Sequence, residues 1–144
     1  MVVVDTNVIS ELMRPTPEPA VMAWFSRQDS GDLHLTAVSE AELRASAAIL
    51  PSGQRRDRLA AEVDAVVRED FSGRVLPFDS AAARAYATIA ASRRSIGRPI
   101  LEADCQIAAI ARARDAAVAT RNATDFQHCG IAVIDPWSDD RASP

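Results

Sequence analysis

Three valines, Val2–Val4, run straight into Asp5, Thr6 and Asn7. An apolar run this short, with no polar position alternating through it, reads as a strand buried on both faces, most readily a central strand of a parallel sheet. Parallel neighbours need crossover connections, usually helical, and the rest of the chain supplies them. A helical pattern follows through Val8, Ile9 and Leu12 and is broken by Pro15-Thr16-Pro17-Glu18-Pro19. Val21, Trp24 and Phe25 then share a helical face. Residues 33–36 read as a second strand. Ser39 is placed to cap a helix that carries Glu42 three residues on, in capping-box spacing, and runs to about Leu50. Residues 54–71 form a charged amphipathic helix with Leu59, Val63 and Val66 inward. Residues 75–78 are a third strand candidate, and Asp79 caps the Ala-rich helix that includes Tyr86 and Ile89. The loop Gly97-Arg98-Pro99 leads into a helix over 100–114, and 117–120 and 131–134 are short strands. The alternation gives an α/β class with a mostly parallel sheet, organised as one domain over residues 1–137 with a polar tail at 138–144.

A chain of 144 residues has room for one sizeable core. No apolar stretch is long enough to span a bilayer. The first apolar run has no basic segment before it and reads as a strand rather than a signal peptide, which makes the cytoplasm the default location. The net charge of −4 and pI near 5.1 argue against a broad basic footprint for nucleic acid but leave room for a small local one. All 16 basic residues are arginine. Without lysine there is neither a Gly-Lys-Ser/Thr phosphate loop nor Schiff-base chemistry. Cys105, Cys129, His34 and His128 form no local cluster, so zinc is not expected, and Cys105 falls in a helical apolar pattern as a small core residue.

The acids carry the functional signal. In open α/β sheets, sites form beyond the carboxyl ends of the strands, and Asp5 ends the first one; its structural alternative is an N-cap for the helix behind it. Glu42 has Val38, Ala45 and Ile49 at helical spacings and is expected on the apolar face of its helix. A first-turn carboxylate closing a capping box is its structural alternative. Asp104 has Ile107, Ala108 and Ala111 on its stripe and is expected to face inward in the same way. An unpaired buried carboxylate costs several kcal/mol, so each must be compensated. Arginines such as Arg44, Arg98 or Arg121 are one candidate and a divalent cation is the other. Hard oxygen donors without a His or Cys cluster indicate Mg²⁺ or Mn²⁺, and three acids at three strand ends favour the cation. The stretch 118–126 leaves a short strand at the same end. There Asn122 can hold a metal-bound water, Asp125 can complete an acidic ring or cap a turn before Phe126, and Arg121 can take a phosphate or pair with an acid.

The blocks Val-Val-Val-Asp5-Thr6-Asn7-Val-Ile-Ser-Glu, Ala-Glu42-Leu-Arg, Ala-Asp104-Cys-Gln-Ile-Ala-Ala-Ile-Ala, Ala-Thr120-Arg-Asn122-Ala-Thr-Asp125-Phe and Asp-Pro-Trp137, in this order over nearly the whole chain, together resemble a PIN domain. They resemble the VapC-type toxins and, within them, the FitB-like group. The resemblance implies a PIN-like three-layer α/β/α fold and a Mg²⁺- or Mn²⁺-dependent ribonuclease acting as the toxin of a type II toxin–antitoxin pair. Its acidic positions carry over to Asp5, Glu42 and Asp104 as metal ligands and catalytic residues, with Glu42 binding directly or through water. Thr6, Asn7 and Thr120 match small polar positions that orient the acids or water. Where the family often has a fourth acid this chain has Asn122, with Asp125 three residues on, which points to one well-held ion. The implied partners are a VapB- or FitA-like antitoxin, an RNA substrate and a second copy of the chain, with no membrane. Arg14, Arg44, Arg98 and Arg121 are candidate RNA contacts. Trp24, Leu43 and Leu50 are candidate antitoxin surfaces, with plain core packing as the alternative. Two rival readings are a PIN fold without activity, serving as a binding module, and a haloacid-dehalogenase-type phosphatase. The phosphatase needs a second Asp where Asn7 stands. A phosphoacceptor receiver domain fails for want of its lysine and acid pair.

Overall fold

The computed structural model describes residues 1–138, so all of the tail expected at 138–144 except Ser138 lies outside it. The strands are β1 (Val2–Val4), β2 (Leu33–Thr36), β3 (Val75–Leu76), β4 (Ala117–Ala119) and β5 (Val133–Ile134). The helices are α1 (Thr6–Leu12), α2 (Pro19–Arg27), α3 (Ala37–Ala48), α4 (Gln54–Ala65), α5 (Ser80–Ser95) and α6 (Glu102–Ala113). The strands form one sheet in the order β3-β2-β1-β4-β5, and all four pairings are parallel. The sheet expected to be mostly parallel is therefore wholly so.

The central place of β1 explains its three valines. Successive strand residues point to opposite faces. Val3 packs into a core with Ala82, Ile89 and the buried stripe of α6. Val2 and Val4 pack into a second core with Val8, Val21, Trp24, Leu43 and Val63. Helices thus cover both faces, giving the three-layer arrangement. Cys105 is a core residue as expected, and Trp24 and Leu43 are buried too, which removes both as docking surfaces; Leu50 is half-buried.

Local chemistry sets the element ends. Pro19 occupies the first turn of α2, where its missing N–H is no loss. β3 stops at Leu76 because Pro77 cannot donate to the ladder. Asp79 caps α5 by accepting from Ala82 N at 3.0 Å. The helix expected over 54–71 is α4 plus one π turn, Val66–Asp70, closed by Phe71 N to Val66 O at 3.0 Å. The cap of α3 differs from expectation. Thr36, not Ser39, accepts from the helix, taking Ser39 N at 3.0 Å. Helix α3 therefore starts three residues earlier and Glu42 lies beyond its first turn.

The order of strands reverses at β1. From there the chain steps outward through β2 and β3, and then returns to lay β4 on the other side of β1. This is a topological switch point, and a crevice is expected beyond the carboxyl ends of β1 and β4. The residues at those two ends are Asp5 and Thr120.

Candidate functional site

Asp5 follows β1 in extended conformation and fills both roles considered for it. Its Oδ1 accepts from Thr6 N at 2.8 Å, capping α1, and its Oδ2 accepts from Thr120 Oγ1 at 2.8 Å. The Thr120 hydroxyl is fully buried and uses its whole capacity. It donates to Asp5 and accepts from Asn7 Nδ2 at 3.3 Å and Asn122 N at 3.1 Å. Asn7 Oδ1 in turn accepts from Arg121 N at 3.3 Å, which fixes the orientation of its amide. Thr6 reaches the other way: its Oγ1 donates to Glu42 Oε1 at 2.7 Å and lies 2.8 Å from Ser39 Oγ. The small polar residues around Asp5 thus tie the ends of β1 and β4 to α3.

Asp104 enters from the first turn of α6, half-buried above Ile107, Ala108 and Ala111, as its spacing predicted. Burial and the charges of Asp5, Asp125 and Glu42 push its carboxyl up to about 6. Asp5 is also raised, chiefly by burial, with Glu42 and Asp125 adding to it; its bonds from Thr120 and Thr6 oppose the shift. None of Asp5, Glu42 and Asp104 forms an ion pair with an arginine among the described residues. Compensation by guanidinium, the alternative to a cation, is therefore not what holds them.

Glu42 is reached by a different route from the one its spacing suggested. Of the stripe Val38–Glu42–Ala45–Ile49 only Val38 packs against the core: Ile49 is 81% exposed, and Glu42 and Ala45 are exposed. The buried stripe is Ser39, Leu43 and Ala47. Alanines on both sides of α3 made its faces hard to tell apart, and the earlier cap at Thr36 turns Ser39 inward. Glu42 lies on an exposed flank and lines the site from there.

Asp5, Glu42 and Asp104 share one open cleft of about 510 Å³ with Thr6, Asn7 and Asn122. Asp125 is exposed, lies outside this lining and acts on the acids through its charge. Among the described residues no three acids already stand in an arrangement that holds a metal ion. The donor set nonetheless fits one. Hard carboxylate oxygens, two of them with raised proton affinity and none neutralised by a cationic side chain, suit Mg²⁺ or Mn²⁺.

The cleft is also lined by residues that spacing did not single out as site members, Ser10, Glu11 and Trp137, and by Arg14 and Arg121. Glu11 is 5% exposed. It accepts from Glu18 N at 2.9 Å and from Arg14 Nη1 at 3.0 Å, and these contacts hold its carboxyl below the usual range. A signal existed, since Glu11 is a carboxylate beside Val8, Ile9 and Leu12 in a short apolar helix. Two of the four arginine candidates fall elsewhere. Arg44 joins Glu40 on its own helix to Asp64 on α4 and lines a groove between those helices. Arg98 is exposed outside the cleft lining, and its carbonyl accepts from Arg93.

The PIN domain family model matches residues 2–130. The VapC ribonuclease Y4jK of Sinorhizobium fredii is 43% identical over 137 residues, covering 95% of this chain and 98% of that protein. Toxin FitB of Neisseria gonorrhoeae is 39% identical over 139 residues, covering 96% and 100%. A chain in the structure of FitAB bound to the IR36 DNA fragment superposes with a TM-score of 0.90 at 38% identity, covering 96% of both chains.

Proposed function

This chain belongs to the PIN-domain family, and from that premise we propose that it is a metal-dependent ribonuclease, the toxin of a type II toxin–antitoxin pair. The observation that carries this reading is the convergence of Asp5, Glu42 and Asp104 on one cleft at the switch point of the sheet, with no guanidinium neutralising them. The names of its relatives, a VapC ribonuclease and toxin FitB, agree with it.

Asp5 and Asp104 would hold Mg²⁺ or Mn²⁺, with Glu42 joining directly or through water. When bound, the ion supplies a Lewis acid for the phosphodiester and lowers the pKa of a water. The chain's own groups do the rest. Thr120 and Thr6 N fix the Asp5 carboxylate, and Thr120 also fixes the Asn122 backbone. Glu42, turned by Thr6 toward the cleft, orients the attacking water and accepts its proton. Asn122 adds a neutral amide where an acid would add charge, which favours a single ion. Asp125 strengthens the negative field from outside the lining.

A free ribonuclease harms its own cell, so an antitoxin partner follows from the reading. The similar chain in the FitAB structure agrees with this, FitB being named a toxin. Homodimerisation is part of the same proposal. Among the described residues no helix is long and apolar enough to cross a membrane.

The test is cleavage of RNA with Mg²⁺ or Mn²⁺. Activity is expected to stop with EDTA and to fall at least a thousandfold in Asp104→Asn, about 4 kcal/mol of barrier. Cleavage that persists in that variant removes the assignment. Asn122 also favours a second reading, an inactive binding module. A thermal-shift series separates the two: Mn²⁺ should raise the melting temperature of wild type but not of Asp5→Asn, and no rise at millimolar Mn²⁺ supports the binding module.

A further inference from the structure

A cleft lined by carboxylates in a chain of net charge −4 repels a polyanion unless cations are built into its rim. Of the described arginines, Arg14 and Arg121 line this cleft, and each is held by a neighbour while its donors stay free. Glu11, buried and locked by Glu18 N, takes Arg14 through Nη1 alone, with both carboxylate oxygens. Arg14 Nε and Nη2 have no acceptor among the described residues, and the side chain is 63% exposed. The Arg121 guanidinium lies over the Trp137 ring, 5.2 Å from its centroid, and forms no ion pair among the described residues. A ring beneath a guanidinium fixes its plane and leaves its edge donors for a planar or tetrahedral anion. Arg121 N bonds Asn7 beside Thr120, and Arg14, just past the end of α1 opposite its Asp5 cap, lines the same cleft as the acids.

We propose that Arg14 and Arg121 form a pincer for one phosphate of single-stranded RNA, the phosphate next to the scissile one. Glu11 and Trp137 are its positioning residues. The proposal rests on the ribonuclease reading above and adds a substrate subsite to it. The acids supply the charge that cleaves; the braced pair supplies the register that decides which linkage is presented to them. One guanidinium on each flank of a phosphate requires an unpaired, flexible strand, because a duplex cannot bring successive phosphates down into a pocket of this size.

The experiment uses the full chain and a short single-stranded oligoribonucleotide with one mapped cleavage site. One linkage at a time is made a neutral 2′-deoxy methylphosphonate, with the 2′-deoxy phosphate as its control. For wild type, neutralising the linkage adjacent to the cut is expected to lower kcat/KM at least tenfold, and more distant linkages less than threefold. In Arg121→Gln and Arg14→Gln the native substrate is expected to lose about tenfold, and the adjacent neutral linkage to cost less than threefold more. Trp137→Leu should behave like Arg121→Gln, and Trp137→Phe should restore the position-specific effect. Wild type indifferent to every neutral linkage, or variants as sensitive as wild type at the adjacent one, would overturn the pincer. A glutamate hexapeptide competing as well as an RNA of equal charge would overturn it too, since the rim would then read charge without register. If wild type cleaves no RNA with either metal, the ribonuclease reading fails separately. The same panel is then scored by fluorescence anisotropy, where loss of the adjacent-linkage effect in binding ends the subsite and its retention supports it.

Discussion

At the scale of single residues, the site is made by acids whose placement opposes their own ionisation. Asp104 titrates near 6 in the fold against about 3.9 in an unfolded chain. The folded state therefore holds the proton more tightly. Between those two values, lowering the pH protonates folded Asp104 before the unfolded one and stabilises the fold; above 6 that gain is gone. A shift of this size corresponds to about 3 kcal/mol, reduced to about 1–2 kcal/mol because the group is half exposed and screened. About half of that gain is realised by pH 5, so in EDTA the melting temperature should rise by about 2 °C from pH 8 to pH 5, and Asp104→Asn should flatten the rise. A flat wild-type profile by calorimetry, or an unchanged slope in the variant, contradicts this account. Asp5 and Asp104 were legible as site residues because each breaks an apolar pattern: Asp5 ends a run of valines and Asp104 interrupts the stripe of Ile107 and Ala111. Glu42 was reached by a partly false route, since beyond Val38 the stripe it was assigned to faces solvent. Glu11 passed unmarked although it breaks its pattern in the same way, because its partner Arg14 and the backbone of Glu18 neutralise it locally and no strand end drew attention to it.

At the scale of elements, the fold reads almost directly from the sequence where chemistry is local. The valines of β1, the cap at Asp79 and the breaks at Pro19 and Gly97 all behave as their residue types require. The cap of α3 and the π turn after α4 do not. Thr36 ends β2 as read, but its second role as the cap of α3 is not visible in Leu33-His34-Leu35-Thr36, and a π turn has no composition of its own. Long-range clamps were invisible altogether, and Arg93 is the chief one. It is 6% exposed and forms no ion pair among the described residues. Its Nε donates to Arg98 O at 2.7 Å, and its Nη1 donates to Asp125 O at 2.8 Å and Gln127 O at 3.0 Å. Gly97, at φ 72°, makes the turn that brings Arg98 back toward it. Arg93 thereby fastens the loop leading into α6, which carries Asp104, to the turn carrying Asn122 and Asp125. Arg93→Met leaves those carbonyls without a donor and should cost about 2–4 kcal/mol. Arg93→Lys keeps the charge but cannot span all three, and should recover less than half. Urea denaturation measures both, and full recovery by lysine would mean that charge, not the fork, is what the loops need.

At the scale of the whole molecule, the proposed handling of RNA by an acidic chain is a matter of distribution. Twenty acids face 16 arginines, and several of those arginines are committed inside the protein's own frame: Arg44 to Glu40 and Asp64, Arg68 to Asp64, and Arg93 to backbone carbonyls. Two line the cleft. Nucleic-acid affinity depends on salt in proportion to the number of phosphates neutralised, with a slope near −0.7 for each phosphate of a single strand. If only the one phosphate held by the two braced arginines is neutralised, the slope of log K against log salt should be about −0.7, a loss of less than about threefold between 50 and 200 mM. A protein with a spread basic surface making six or more such contacts would lose several hundredfold or more over the same range. Anisotropy with a labelled single-stranded RNA and the Asp104→Asn variant measures the slope directly. Arg121→Gln should weaken binding by a similar factor at every salt concentration and leave the slope nearly unchanged, because Arg14 still meets the same phosphate. A wild-type slope steeper than about −3 would mean that RNA lies across arginines well outside the cleft, and the low overall charge would then need a different explanation from a short, locally gripped substrate.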